Sequence, residues 1–306
     1  MHPEIRRQIG QIASDHLSGA TEITRRAAEI VASLPVYSDA MSAEDFRREL
    51  IDVARDLAAA QPSMASLLSL VNQVLLAADG IEDFGELLVA VQHTAEDIAA
   101  ALTKRPDQIA QTALPLIHDG ATIMTISSSS TVFATLQRAH AAGKRIQVIC
   151  LESRPQHEGV DFAWQLAEIG IDVTLVVDAA MAHFMDGVNT VVFGADTVSR
   201  MGLVNKIGTY ALALAADAHG VPAYALAGTE KFLPASLLSR FEIEQQAPCE
   251  ILDEPAPAHM DVINIYFDLT PLDFVAGIVT EDNVLTPAEV VARLEIIEVH
   301  RALFVD

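Results

Sequence analysis

The hydrophobic rhythm of the chain changes once, at Arg105-Pro106, and that change constrains the fold more than any other feature. Before it, apolar residues recur three and four apart: Ile5, Ile9, Ile12, then Ile23, Ala27, Ile30, Val31, then Leu67, Leu70, Val71, Val74. Such spacing lays one apolar stripe along each helix, as in helices packed side by side. After it, apolar runs at residues 121–126, 145–151, 172–177, 188–193, 222–227 and 262–267 alternate with helical stretches at 131–142, 160–170 and 208–219. Buried strands alternating with helices are βαβ units, which build parallel sheets. The expected class is α/β, with an all-helical N-terminal domain over residues 1–106 and a parallel-sheet domain over 107–306. The segment 244–260, with Pro248, Pro255 and Pro257, is the expected long loop.

Composition narrows the partners. Of 306 residues, 51% are apolar, which suffices for a well-packed core. Forty-two acids against 19 Lys and Arg give a net charge of −23, a field that repels nucleic acid and anionic membrane surfaces. Direct nucleic-acid binding is therefore not expected, and a phosphate site must rely on local donors. The N-terminus, M-H-P-E-I-R-R-Q, has no signal-peptide core, and no window approaches a membrane-spanning apolar length, so a cytoplasmic protein is expected. Cys150 and Cys249 have neither disulfide nor zinc spacing and read as free thiols. No histidine pair has metal-ligand spacing, and G-x-G-x-x-G after a strand, G-x-x-x-x-G-K-[ST] and G-x-S-x-G are all missing. Neither a metal nor a cofactor is called for.

Candidate site residues lie where the strands end. Gly194-Ala195-Asp196 follows the run 188–193 and opens a glycine-punctuated loop that reaches Asn205-Lys206 before the helix at 208. Open α/β sheets bind ligands at that edge. Ser127, Ser128, Ser129 and Ser130 follow the first strand and open a helix, offering hydroxyls, backbone N–H groups and a positive dipole end to a phosphate. Arg154 presents a fork suited to phosphate or carboxylate. Each has a plainer reading: Asp196 and the serines as caps, Arg154 as an ion-pair partner of Glu152 or Asp178, Lys206 as an exposed charge. Their convergence on one edge favours a ligand site.

Four segments carry a family resemblance: E-S-R-P-Q-H-E-G at 152–159, G-A-D at 194–196 with N-K-I-G-T at 205–209, P-S-M-A-S-L-L-S-L-V-N at 62–72, and Y-F-D-L-T-P at 266–271. Over nearly the whole chain they resemble the family that joins the alpha, beta and delta subunits of translation initiation factor 2B to methylthioribose-1-phosphate isomerase and ribose-1,5-bisphosphate isomerase. The resemblance implies a helical N-terminal domain, a Rossmann-like C-terminal domain and a homodimer formed through the latter. In the isomerase branches a Thr-His-Cys-Asn segment supplies a cysteine that works with the Asp of Gly-Ala-Asp. Here the segment is Thr125-Ile126-Ser127-Ser128, so Ser127 stands at the catalytic cysteine while Asp196 is kept. A hydroxyl does not reproduce a thiol of pKa about 8.5.

Arg154, Asn205 and Lys206 match the family's binding positions. Ser18-Gly19-Ala20 stands where the isomerases have a substrate-contacting Arg-Gly, placing Gly19 and Ala20 at the ligand without the arginine. Gln61 replaces an arginine of the ribose-1,5-bisphosphate isomerases, and the stretch from Asp196 to Asn205 is one residue shorter. Gly228-Thr229-Glu230-Lys231-Phe232 looks like the Lys-Phe version of the alpha subunits and those isomerases. The resemblance thus implies an alpha-subunit-like protein that binds a phosphorylated sugar or nucleotide without the standard chemistry, as a homodimer and with protein partners. The alternative is an aldose–ketose isomerase acting on a ribose 1-phosphate derivative such as ribose 1,5-bisphosphate. Asp196 is then the general acid/base, and another group replaces the thiol.

Overall fold

The structure is a computed structural model that describes residues 1–15 and 18–304. The chain begins with helices α1 (Pro3–Ala13), α2 (Ala20–Tyr37), α3 (Ala43–Ala60), α4 (Ala65–Ala78) and α5 (Phe84–Ala113). Side chains cap three of them: His2 accepts the Glu4 N–H at α1, Ser42 the Asp45 N–H at α3, and Asp83 the Glu86 N–H at α5. Their stripes close one core around the fully buried Ile5, Ile23, Leu34, Phe46, Leu57 and Leu67. Each such side chain contributes about 1.5–3 kcal/mol by leaving water. Helix α5 runs unbroken through Pro106, so the expected division at 106/107 falls inside it. Its last turns carry Ile109 and Ala113 into the core of the sheet.

The second half contains β1 (Thr122–Thr125), α6 (Ser130–Ala141), β2 (Gln147–Leu151), α7 (Glu158–Glu168), β3 (Asp172–Val176), β4 (Thr190–Gly194), β5 (Thr197–Ser199), β6 (Gly202–Lys206), α8 (Thr209–Ala218) and β7 (Ala223–Leu226). After these come β8 (Gln245–Gln246), β9 (Asn264–Ile265), β10 (Phe267–Thr270), β11 (Gly277–Val279), β12 (Val284–Leu285) and α9 (Pro287–Glu295). The central sheet has the order β12-β11-β7-β4-β1-β2-β3 and is parallel except for β12. Both faces are covered over β1, β2, β4 and β7, which is why those strands read as continuous apolar runs. The edge strand β3, expected from its apolar run to be buried, is instead largely exposed, with Leu175 at the surface. Met124, Val191 and Phe193 face one core, while Ile123, Val148 and Val192 face the other. The chain leaves β1 toward β2 and β3, then returns to lay β4 on the opposite side of β1. A crevice opens outside the strand ends at such a reversal.

Two expectations need correction. Residues 197–206 form not a loop but the hairpin β5–β6, with Thr197 opposite Val204 and Ser199 opposite Gly202. The run 262–267 is not a strand of the parallel sheet. It divides between β9, which pairs with β8, and β10, which pairs antiparallel with β6 in a small second sheet. Among the described residues, no helix is long and apolar enough to cross a membrane.

Candidate functional site

The end of β1 is bent by Ser127, whose φ of 68° is a left-handed conformation that a non-glycine residue adopts at a cost. Side-chain bonds hold it there. Its N–H donates to Ser153 Oγ at 2.7 Å, and its own Oγ donates to Glu158 Oε1 at 2.8 Å. Ser129 then caps α6, accepting the Val132 N–H, and leaves the helix start facing the crevice. Gly194, at the end of β4, permits this approach: a Cβ there would stand 2.9 Å from Ser129 Oγ. Two residues on, the Asp196 N–H donates to the Val204 carbonyl at 2.8 Å, so the β5–β6 hairpin fixes the acid at one end and Asn205 and Lys206 at the other.

The electrostatics centre on Asp196. Burial pushes its carboxyl above the usual aspartate range, Lys231 and Lys206 pull it back, and Glu158 pushes it further up. Lys206 is 6% exposed, and its Nζ lies 2.7 Å from Glu158 Oε1 and 4.9 Å from the centre of the Tyr266 ring. Lys231 is equally buried in the turn after β7, and its ammonium makes no side-chain hydrogen bond or ion pair among the described residues. Glu158 Oε2 is buried without a hydrogen-bond partner among them. Asn205 donates to Thr209 Oγ1 at 3.0 Å, which aligns it over the start of α8.

The helical half supplies the facing wall, with Gly19 as the N-cap of α2, Ala20 beside it, and Gln61 and Ser63 from the α3–α4 corner. Thr197 joins the two walls, donating to the Ser63 carbonyl at 2.8 Å and accepting the Ala65 N–H at 2.9 Å. The enclosed volume is about 320 Å³, at the lower end of the usual range for small-molecule sites.

Gly19, Ala20, Ser127, Ser128, Ser129, Ser130, Asp196, Asn205 and Lys206 all line this one cleft. Arg154 does not. Its guanidinium is exposed, 2.9 Å from His157 Nε2, because Asp178 accepts the backbone N–H groups of Ser153 and Arg154 and turns the segment outward. Sequence reasoning missed Lys231 and Glu158 as site residues, although each stands inside a recognised motif just past a strand. Cys150 is no substitute for the absent thiol: it is buried in β2, away from the cleft lining, and burial pushes its thiol up to about 12.

Comparison with known proteins gives the family and the fold. The profile of the initiation factor 2 subunit family matches residues 16–287. The ribose 1,5-bisphosphate isomerase of Haloferax volcanii is 33% identical over 298 residues, covering 95% of this chain and 91% of its own. That of Archaeoglobus fulgidus is 35% identical over 284 residues, covering 90% and 88%. Among solved structures, the translation initiation factor eIF-2B of Pyrococcus horikoshii OT3 superposes with a TM-score of 0.80 at 26% identity, over 94% of this chain and 98% of the other.

Proposed function

The chain belongs to the initiation factor 2 subunit family, and from that premise we propose that its cleft binds a phosphorylated aldopentose and converts it to the ketose. One observation carries the reading: a half-buried carboxyl, Asp196, at the strand-order reversal, in the field of two buried lysines. For a ribose 1-phosphate the conversion to a ketose conserves every atom. The bond from C1 to the ring oxygen breaks and that oxygen takes up a proton, C2 gives up its carbon-bound proton and C1 gains one, and the C2 hydroxyl loses its proton to become the carbonyl. A carboxyl whose affinity for protons is raised is suited to carry that proton near neutral pH. Lys231 and the start of α6 offer positive charge to the phosphate, and Lys206, held by Glu158, lends its field to oxygen anions formed on the way. The names of the relatives in Haloferax volcanii and Archaeoglobus fulgidus support this chemistry. A cytoplasmic location and a homodimer belong to the same reading, the second to be checked by sedimentation.

Ser127 favours a second reading, in which the cleft binds the sugar phosphate and releases it unchanged. Phosphorus NMR with ribose 1-phosphate and ribose 1,5-bisphosphate separates the two: ketose resonances establish turnover, and broadening alone establishes binding. Asp196→Asn is expected to reduce turnover by about 10²–10⁴-fold, the usual worth of a general acid/base, while changing affinity by less than about tenfold. An asparagine variant that turns over as the parent does sinks the isomerase reading.

A further inference from the structure

Resting on the reading of the cleft as a sugar-phosphate site, we infer that its ligand carries a single phosphate and presents an uncharged, hydroxyl-bearing end to the helical wall. The argument is one of charge and donors. Among the described residues lining the cleft, the cations are Lys206 and Lys231, both on the sheet side, against the carboxylates of Asp15, Glu158, Asp161, Asp196 and Glu244. Lys206 is already paired with Glu158. Lys231, together with the start of α6, is therefore what remains to neutralise a phosphate, and that is provision for one.

Among the described residues, the helical wall offers a second phosphate no side-chain cation. Gln61 spends both amide hydrogens on backbone, donating to the Ile12 and Asp15 carbonyls at 3.0 Å each, so only its carbonyl oxygen is left. Arg26 is held by Asp15 and does not line the cleft. Asp15 also accepts the Ser18 N–H at 2.9 Å, which puts a carboxylate beside the start of α2, where a phosphate would otherwise benefit from the dipole. Among the described residues, the donors this wall retains are neutral, among them backbone N–H groups of the first α2 turn and the hydroxyl of Thr21. Such groups pair well with sugar hydroxyls. A bisphosphate, at about −1.5 to −2 per phosphate near neutral pH, meets carboxylate and carbonyl oxygen instead.

Isothermal titration at fixed ionic strength tests this with ribose 1-phosphate and ribose 1,5-bisphosphate. Ribose 1-phosphate is expected to bind at least tenfold more tightly. Gln61→Arg, which places a guanidinium on the helical wall, is expected to shift that ratio at least tenfold toward the bisphosphate. Thr21→Lys tests the same point without disturbing a buried hydrogen bond, and is expected to shift the ratio in the same direction. Equal or tighter binding of the bisphosphate by the parent protein overturns the inference and leaves the sugar-phosphate reading standing. So does a ratio that neither variant moves. Failure of both compounds to bind removes the reading and the inference together.

Discussion

A hydroxyl at position 127 leaves the chain's two thiols without a part in the cleft, and their environments differ sharply. Cys150 is buried in β2, where desolvation pushes its thiol up to about 12, whereas Cys249 is exposed. Because thiolate, not thiol, reacts with alkylating reagents, the folded protein is expected to take up one iodoacetamide per chain, at Cys249, and a second only on denaturation. Mass spectrometry of the labelled peptides decides this, and rapid labelling of Cys150 in the native protein refutes it. At the same scale, Asp196 and the serines were legible because a polar residue at the end of an apolar run sits at a predictable edge of the sheet. Lys231 and Glu158 were not, because their importance lies in which atoms they meet. Lys231 faces Asp196 across many residues of chain, and Glu158 reaches both Ser127 and Lys206. Arg154 shows the opposite failure: its position in the motif fitted, but Asp178 turns its backbone away.

Among the elements, the apolar runs that became β1, β2, β4 and β7 are buried on both faces, while the run at 172–177 became the edge strand β3, which is largely exposed. The hairpin β5–β6 escaped because its strands are short and end in Ser199, Asn205 and Lys206, and because Gly202 at its turn reads as a loop. Gly202 has a φ of 147°, and a Cβ there would meet the Thr270 carbonyl oxygen at 2.4 Å, so the glycine is what lets β10 pair beside β6. On β10, Asp268 accepts the Gly208 N–H at 2.8 Å and the Tyr210 N–H at 3.2 Å, thereby starting α8. Burial nevertheless pushes its carboxyl up to about 6. The folded chain then holds this proton more tightly than the unfolded chain, whose Asp titrates near 3.9, so stability from this group falls as pH rises from about 4 to about 6. Relative to Asp268→Asn, which keeps an acceptor without the charge, the parent is expected to lose on the order of 2–3 kcal/mol between pH 4 and pH 7. Urea denaturation of both proteins across that range measures it, and parallel curves would contradict it.

At the scale of the whole molecule, the two halves are joined by polar contacts that no local pattern forecasts. Arg105 of α5 bonds Glu230 Oε2 at 2.5 Å and lies 3.1 Å from Glu281 Oε1, while Thr229 gives Glu281 both its N–H and its hydroxyl. Asn72 of α4 donates to the Glu298 carbonyl and accepts the His300 N–H. Replacing Arg105 by Met leaves two largely buried carboxylates facing each other, and such a broken pair is expected to cost about 3–5 kcal/mol of stability. Adding Glu230→Gln and Glu281→Gln should return most of it, and an Arg105→Met protein as stable as its parent argues against the contact. Thr197 is the smallest of these joints and the nearest to the site, one residue from Asp196 and bonded in both directions to the α3–α4 corner. Pocket and joint therefore share one cooperative unit. A ligand that tightens the cleft also clamps the helices to the sheet, and hydrogen exchange at the Ala65 amide reports its occupancy from outside the pocket.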